Sequence, residues 1–170
     1  YVSRVLGASG VGTYNYTNSI TQFFMVFGCI GLSLYGQREV AYYQNDIEKR
    51  SKVFFEILIF RLISLSISLI IYYFCFVMNS KYASIFIIQM IDIISYIFDV
   101  SWFFQGMEQM RFITMMTVIT KILSLTPLFF VVKDSVDYFY IPICYSVGSI
   151  GSGIICLYLM KKRFGVNFFF

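Results

Sequence analysis

Five long apolar stretches dominate this sequence, at approximately residues 13–34, 53–78, 83–104, 112–132 and 138–160. A helix needs about 20 apolar residues to cross the hydrocarbon core of a bilayer. Inside lipid, the backbone groups of such a segment must be hydrogen-bonded within the protein, which a helix achieves by itself. The sequence therefore predicts an all-α fold: a polytopic membrane bundle of about five transmembrane helices, forming a single domain over residues 1–170.

The composition supports a lipid environment. Only 13% of the residues are charged, 59% are hydrophobic and the mean hydropathy is +0.76. A soluble domain carries about 25% charged residues, because water must cover its surface. A chain this apolar lacks the polar groups for such a surface, so we expect membrane lipid to be its solvent and nucleic acid not to be a partner.

The usual signatures of catalysis and metal binding are absent from the sequence. It has no His, which removes the commonest acid, base and metal ligand. The four cysteines stand singly in apolar runs, without C-x-x-C spacing, and there is no G-x-x-x-x-G-K-[ST] phosphate loop. We therefore expect no catalytic residue, no metal site, no cofactor and no enzymatic activity.

Basic residues between the spans predict the orientation. Three segments on one side, residues 36–52, 105–111 and 161–163, hold eight Lys and Arg residues, and the other side holds three. Loops rich in Lys and Arg stay in the cytoplasm. The side with eight basic residues is therefore predicted to be cytoplasmic.

Two basic residues lie inside the predicted spans. Arg61 is eight residues past Val53 and Lys121 is nine residues past Phe112. At about 1.5 Å per residue, both lie roughly 12 to 13 Å from the same edge, near the middle of the bilayer. A charge at that depth costs at least a few kcal/mol, so such side chains usually face a cavity or a partner.

Polar residues follow one face of several spans. In the third span they recur at spacings of three or four, which places them on one side of a helix. Shorter stripes follow the first, second and fourth spans. Lipid-facing stripes would be unfavourable, so we expect them to converge on a shared interior. The residues are Gln89, Asp92, Ser95, Asp99 and Trp102; Asn15, Asn18 and Gln22; Arg61, Ser64 and Ser68; and Thr114, Thr117, Lys121 and Ser124.

Two interpretations of these charges are open. Arg61 and Lys121 can pair with Asp92 and Asp99 and hold the bundle together, or the four can line a hydrated cavity that receives a charged substrate. The stripes extend beyond what two ion pairs need, which favours the cavity. A third possibility, a catalytic carboxylate pair, would need Asp92 and Asp99 at the roughly 10 Å that seven helical residues give.

Small residues punctuate the fifth span at Gly148, Ser149, Gly151, Ser152 and Gly153. Small residues four apart let two helices approach closely in lipid. This segment is therefore predicted to be a packing seam.

Three stretches carry a resemblance to a known family. They are Tyr-Val-Ser-Arg-Val-Leu-Gly at 1–7 with Gly-Val-Gly-Thr-Tyr-Asn-Tyr at 10–16, Leu-Tyr-Gly-Gln-Arg-Glu-Val-Ala at 34–41, and Asp-Val-Ser-Trp-Phe-Phe-Gln-Gly-Met-Glu at 99–108. In this order they resemble the Wzx-type oligosaccharide flippases of bacterial surface-polysaccharide assembly, within the multidrug/oligosaccharidyl-lipid/polysaccharide exporter superfamily.

The resemblance implies a longer protein with one helix upstream and a second helical half downstream, so that this chain supplies part of the amino-terminal lobe. It implies transport of an undecaprenyl-diphosphate-linked oligosaccharide, for O-antigen or capsule, across the bacterial cytoplasmic membrane by an ion gradient. On this hypothesis Arg61 and Lys121 attract the diphosphate, Asp92 and Asp99 balance them and bind a coupling cation, and Trp102 stacks on sugar rings.

Two alternatives remain at this point. A membrane enzyme of the same pathway, such as a polysaccharide polymerase, would carry a large extracytoplasmic loop, whereas the predicted outer loops near residues 79–82 and 133–137 are short. A drug or cation exporter would share the architecture, since a fold does not specify a substrate.

Overall fold

The computed structural model describes residues 2–78, 80–134 and 137–165, and every regular element in these ranges is helical. Seven α-helices follow one another, joined by short turns. A π-helical turn, Tyr73–Val77, extends α3, and 3₁₀ turns at Tyr96–Phe98 and Asp137–Phe139 flank other helices. The α-helices are α1 (Val2–Gly28), α2 (Leu32–Tyr42), α3 (Ile47–Tyr72), α4 (Ala83–Ser95), α5 (Ser101–Gly106), α6 (Met110–Val131) and α7 (Tyr140–Phe164).

Among the described residues, four segments are long and apolar enough to cross a membrane, and the bent pair of α1 and α2 gives a fifth if it forms one span. The four are Ile47–Val77, Ala83–Gly106, Met110–Val131 and Tyr140–Phe164. The predicted all-α, polytopic membrane bundle is confirmed, and the protein is a multi-pass membrane protein.

The first span is bent rather than straight. It was expected at residues 13–34, but α1 already begins at Val2, and the axes of α1 and α2 differ by 43°. Gly31 lies at the bend with a φ of 74°, a conformation that glycine adopts without steric cost. The expected end of the span therefore falls inside α2.

The third span, expected as one helix over residues 83–104, is interrupted. Helix α4 ends at Ser95, the chain passes through a 3₁₀ turn, and Asp99 adopts an extended conformation before α5 begins. Neither Gly nor Pro lies at the break. Asp99 Oδ1 instead accepts a hydrogen bond from the backbone N–H of Ser101 at 3.1 Å, a local contact that competes with the helical ladder.

Helices α6 and α7 pack closely through the predicted small-residue seam. A Cβ atom added to Gly148 would lie 2.8 Å from Ser124 Cβ and 2.9 Å from the carbonyl oxygen of Thr120. Only glycine allows this approach of the two backbones. The contact fixes how α6 faces α7 and therefore where the polar side chains of α6 point.

One end of the bundle is tied together by Arg50. Its guanidinium donates to the carbonyl oxygens of Gln44 and Phe164, and the Gln44 amide donates to the carbonyl oxygen of Gly106 at 3.0 Å. The three basic segments expected on one side thus meet at one end. Assigning that end to the cytoplasm stays a prediction.

Candidate functional site: a polar cleft within the bundle

Arg61 and Asp99 meet at the break in the third span. Arg61 Nη1 donates to the backbone carbonyl oxygen of Asp99, and Arg61 Nη2 lies 3.6 Å from Asp99 Oδ2. The guanidinium also lies over the ring of Tyr96, at 4.7 Å from its centroid. The side chain of Arg61 is 3% exposed and that of Asp99 is 35% exposed. The pair is thus buried on the arginine side and open on the carboxylate side.

Asp92 lies seven residues before Asp99, in α4, and has different neighbours. Its carboxylate accepts a hydrogen bond from the hydroxyl of Ser146 on α7, and the Ser95 hydroxyl donates to its backbone carbonyl at 2.8 Å. Of the ion pairs among residues 2–78, 80–134 and 137–165, none includes Asp92. Asp92 is only 8% exposed, so it meets the cavity described next through a small part of its surface.

An open cavity of about 380 Å³ lies between α1, α4, α6 and α7. Its lining combines two charged side chains, Asp92 and Lys121, with amides, hydroxyls and tyrosine rings. The other lining residues are Tyr14, Asn18, Gln22, Met25, Ser95, Tyr145 and Ser149. Five of these residues, Asn18, Gln22, Asp92, Ser95 and Lys121, belong to the predicted stripes, whereas no stripe residue of α3 is among those that line this cavity.

A second cavity, of about 230 Å³, adjoins the first, since Met25, Ser95 and Ser149 line both. Asp99 opens into it, together with Ser101 of α5. We call the two cavities together the central cleft. Further polar and small residues that line its second part are Thr117, Thr120, Ser152 and Gly153.

Lys121 is the cation of the central cleft. It lies at the middle of α6, is exposed, and forms no ion pair with a carboxylate of the described residues. On its other side an apolar face of α6 begins, with Val118, Ile122, Leu125 and Phe129. Lys121 therefore stands at the boundary between polar and apolar surfaces.

A separate polar network lies fully inside the bundle. The amide of Gln89 is 3.0 Å from Thr21 Oγ1 and 3.1 Å from Thr17 Oγ1, and Thr21 Oγ1 is 2.8 Å from the hydroxyl of Tyr72. These contacts join α1, α3 and α4 without any charge. Buried polar networks of this kind are stable only when every member is hydrogen-bonded, and this one is.

The sequence comparisons identify the family. The whole chain, residues 1–170, matches the family described as "Polysaccharide biosynthesis protein". The chain belongs to this family. A protein of Shigella dysenteriae named "Putative O-antigen transporter" is 29% identical over 135 residues, covering 78% of this chain and 34% of that protein. No solved structure matches the chain at a significant level.

These matches confirm the resemblance seen in the sequence. The chain spans about a third of the length of the Shigella relative.

Arg61 does not occupy the position expected for a substrate-binding residue. It lies behind Asp99 and Tyr96 and is not among the residues that line the central cleft. Lys121, Asp92 and Asp99 do line it. Both cations were expected in one cavity. Lys121 lies in the cleft, whereas Arg61 packs against the break in the third span.

Trp102 lies in the hydrophobic core. It is 2% exposed, stacks on Phe54 with ring centroids 5.7 Å apart, and contacts Gly36 so closely that a Cβ there would be 2.5 Å from the indole. Trp102 lies beyond the break in the third span, so helical spacing counted from α4 does not predict its direction. Its contact with sugar stays a prediction, and the site proposed below leaves it out.

Some stripe residues lie away from the cleft. Asn15 and Thr114 are exposed and are not among the residues that line it. The hydroxyls of Thr114 and of Thr117, which does line the cleft, donate to backbone carbonyls of their own helix. The sequence also missed Thr17, Thr21 and Tyr72, whose partners lie on other helices. Threonine satisfies its hydroxyl within the helix, so its presence in a span does not by itself mark a polar interior.

Two carboxylates outside the spans are held ionised by the backbone. Hydrogen bonds from the N–H groups of Asp134 and Lys133, at 2.9 and 3.0 Å, hold the pKa of Asp137 below its usual value. The N–H and side chain of Lys49 act in the same direction on the pKa of Asp46, which caps α3. Both stabilise the ends of helices rather than the cleft.

Proposed function

We propose that the full-length protein is a flippase that moves undecaprenyl-diphosphate-linked oligosaccharides from the inner to the outer leaflet of the bacterial cytoplasmic membrane. The observation that carries this proposal is Lys121, a cation without a carboxylate partner among the described residues, facing a cleft lined by amides, hydroxyls and tyrosines. The family match and the Shigella relative support transport in polysaccharide biosynthesis.

The chemistry of the cleft suits such a substrate. A diphosphate carries more than one negative charge, and its passage through a low-dielectric region needs fixed positive charge. Lys121 supplies a point charge for phosphate oxygens. Asn18, Gln22 and Ser149 offer the donors and acceptors that sugar hydroxyls require.

Asp92 is the candidate for a coupling cation. Its carboxylate has a serine hydroxyl but no cationic side chain as partner among the described residues. Asp99 is less suited, because Arg61 already neutralises it. The same pairing makes a catalytic carboxylate pair a weaker interpretation, since Asp99 is not free to act as an acid or base.

The proposal is tested with Lys121→Ala in the full-length protein, expressed in cells that lack their own copy. A charge-assisted contact contributes about 1.5–3 kcal/mol, so surface polysaccharide should fall by roughly 10- to 100-fold. Lys121→Arg keeps the charge and should be milder. Polysaccharide is compared at matched amounts of membrane-inserted protein.

Lys52→Ala is the matched control. Lys52 is an exposed lysine of α3 whose nearest carboxylate, Glu56, is 4.0 Å away, so its removal should leave polysaccharide unchanged. Normal export by a well-inserted Lys121→Ala protein would contradict the proposed role of the cleft.

A further inference from the structure

The break in the third span leaves the backbone carbonyl of Asp99 without its helical partner. In a regular helix the N–H of Phe103 would bond to the carbonyl oxygen of Asp99. Here Phe103 N–H donates to Val100 at 3.1 Å instead. The freed carbonyl of Asp99 and the Asp99 carboxylate both face the guanidinium of Arg61.

Interrupted membrane helices commonly use such freed carbonyls, together with carboxylates, to coordinate small cations. We infer that Arg61 is a tethered cation that occupies this coordination position, so that the break is held by a side chain of α3 in place of a dissociable ion. Arg61 is then a positioning residue: it acts on the cleft through Asp99 and does not touch substrate.

The surroundings of Arg61 fit this role. The side chain is 3% exposed, and within the described part of the chain its Nε and Nη2 atoms have no hydrogen-bond partner. A guanidinium with so few partners is kept in place by Asp99 and by the ring of Tyr96. Next to Asp99 in the chain, Phe98 packs against Gly153 of α7, where a Cβ would be 2.5 Å from Phe98 Cβ.

The consequence is that the two carboxylates of this span differ in the ions they can accept. Arg61 supplies the positive charge beside Asp99, so Asp99 binds no cation from solution. The inference concerns the break itself and does not depend on what the cleft transports, so its test uses stability rather than export.

The test is chemical rescue of Arg61→Ala in the purified full-length protein. Removal of one partner of a buried pair should lower the melting temperature by roughly 10 °C. Millimolar guanidinium chloride should restore most of that loss, because the free ion fills the vacated position beside Asp99. Choline chloride at the same concentration has the wrong shape and should restore none.

Two further variants make the result specific. Leu65→Ala opens an apolar cavity one turn further along the same helix, so guanidinium should not raise its melting temperature. In the double variant Arg61→Ala/Asp99→Asn the carboxylate is gone, and the rescue should be much smaller than in Arg61→Ala alone.

Arg61→Lys provides a second test should the alanine variant fail to fold. It keeps a charge but lacks the fork that bridges two oxygens, so it should melt between the wild type and Arg61→Ala and gain nothing from guanidinium. The inference is overturned if guanidinium stabilises Arg61→Ala no better than choline, or stabilises Leu65→Ala or the double variant equally well. A wild-type melting temperature for Arg61→Lys would also overturn it.

Discussion

Asp92 and Asp99 lie seven residues apart on the same span, yet one faces a cleft without a cationic partner and the other is paired with a buried arginine. Asp92 accepts from the hydroxyl of Ser146 and shares the cavity with Lys121. Asp99 lies at a break in the helix and holds Arg61. The difference arises from the backbone: the interruption turns Asp99 toward α3, while Asp92 stays on the regular helix facing α7. Similar residues at helical spacing therefore have different surroundings.

The largest expected effect comes from replacing each carboxylate by its amide. Asp99→Asn removes the charge that neutralises buried Arg61, so the free energy of unfolding should fall by about 3 kcal/mol. Asp92→Asn keeps an acceptor for Ser146 and separates no ion pair, so the change should be less than about 1 kcal/mol. Thermal unfolding of the two full-length proteins measures both. Equal losses would show that the two sites are not distinct.

How far the sequence predicted these sites depends on the regularity of the backbone. The spacing of Gln89, Asp92 and Ser95 correctly placed all three on one buried face, because α4 is a regular helix. The same reasoning placed Asp99 and Trp102 on that face and did not anticipate the break, since no Gly or Pro marks it. The small-residue seam at Gly148 was predicted because steric size can be read from residue type. Asp92 and Asp99 were both predicted as possible partners of Arg61, but which of them it meets depended on tertiary packing.

A smaller effect is expected in the uncharged network around Gln89, which contrasts with both carboxylates. Gln89→Leu should lower the free energy of unfolding by about 1 to 2 kcal/mol. The loss is limited because the Thr17 and Thr21 hydroxyls keep bonds to carbonyls of their own helix. Urea or thermal unfolding gives the value, and surface polysaccharide should stay normal. A loss as large as that of Asp99→Asn would contradict the smaller contribution expected of an uncharged network.

The smallest effect concerns Asp137, a carboxylate held by backbone N–H groups at the end of the bundle. Its pKa is lowered in the folded state. The stability that it contributes is therefore complete above its unfolded pKa and is lost as the pH falls through the lower folded value. Asp137→Asn should lower stability slightly at neutral pH and leave it unchanged at strongly acidic pH. A neutral-pH loss that persists in acid would contradict this explanation.

The close contact of α6 with α7 also limits the space for water and ions between these two helices. A transporter that moves its substrate through a polar cleft must prevent ions from leaking past that substrate. At Gly148 the backbone of α7 lies against Ser124 and the Thr120 carbonyl so closely that an added methyl group would overlap them. A water molecule needs similar room, so no chain of waters can thread between these two helices at that level. If the full-length protein transports as proposed, this contact seals the cleft between α6 and α7, and substitution of Gly148 by a larger residue is expected to raise ion leakage as well as to disturb the packing.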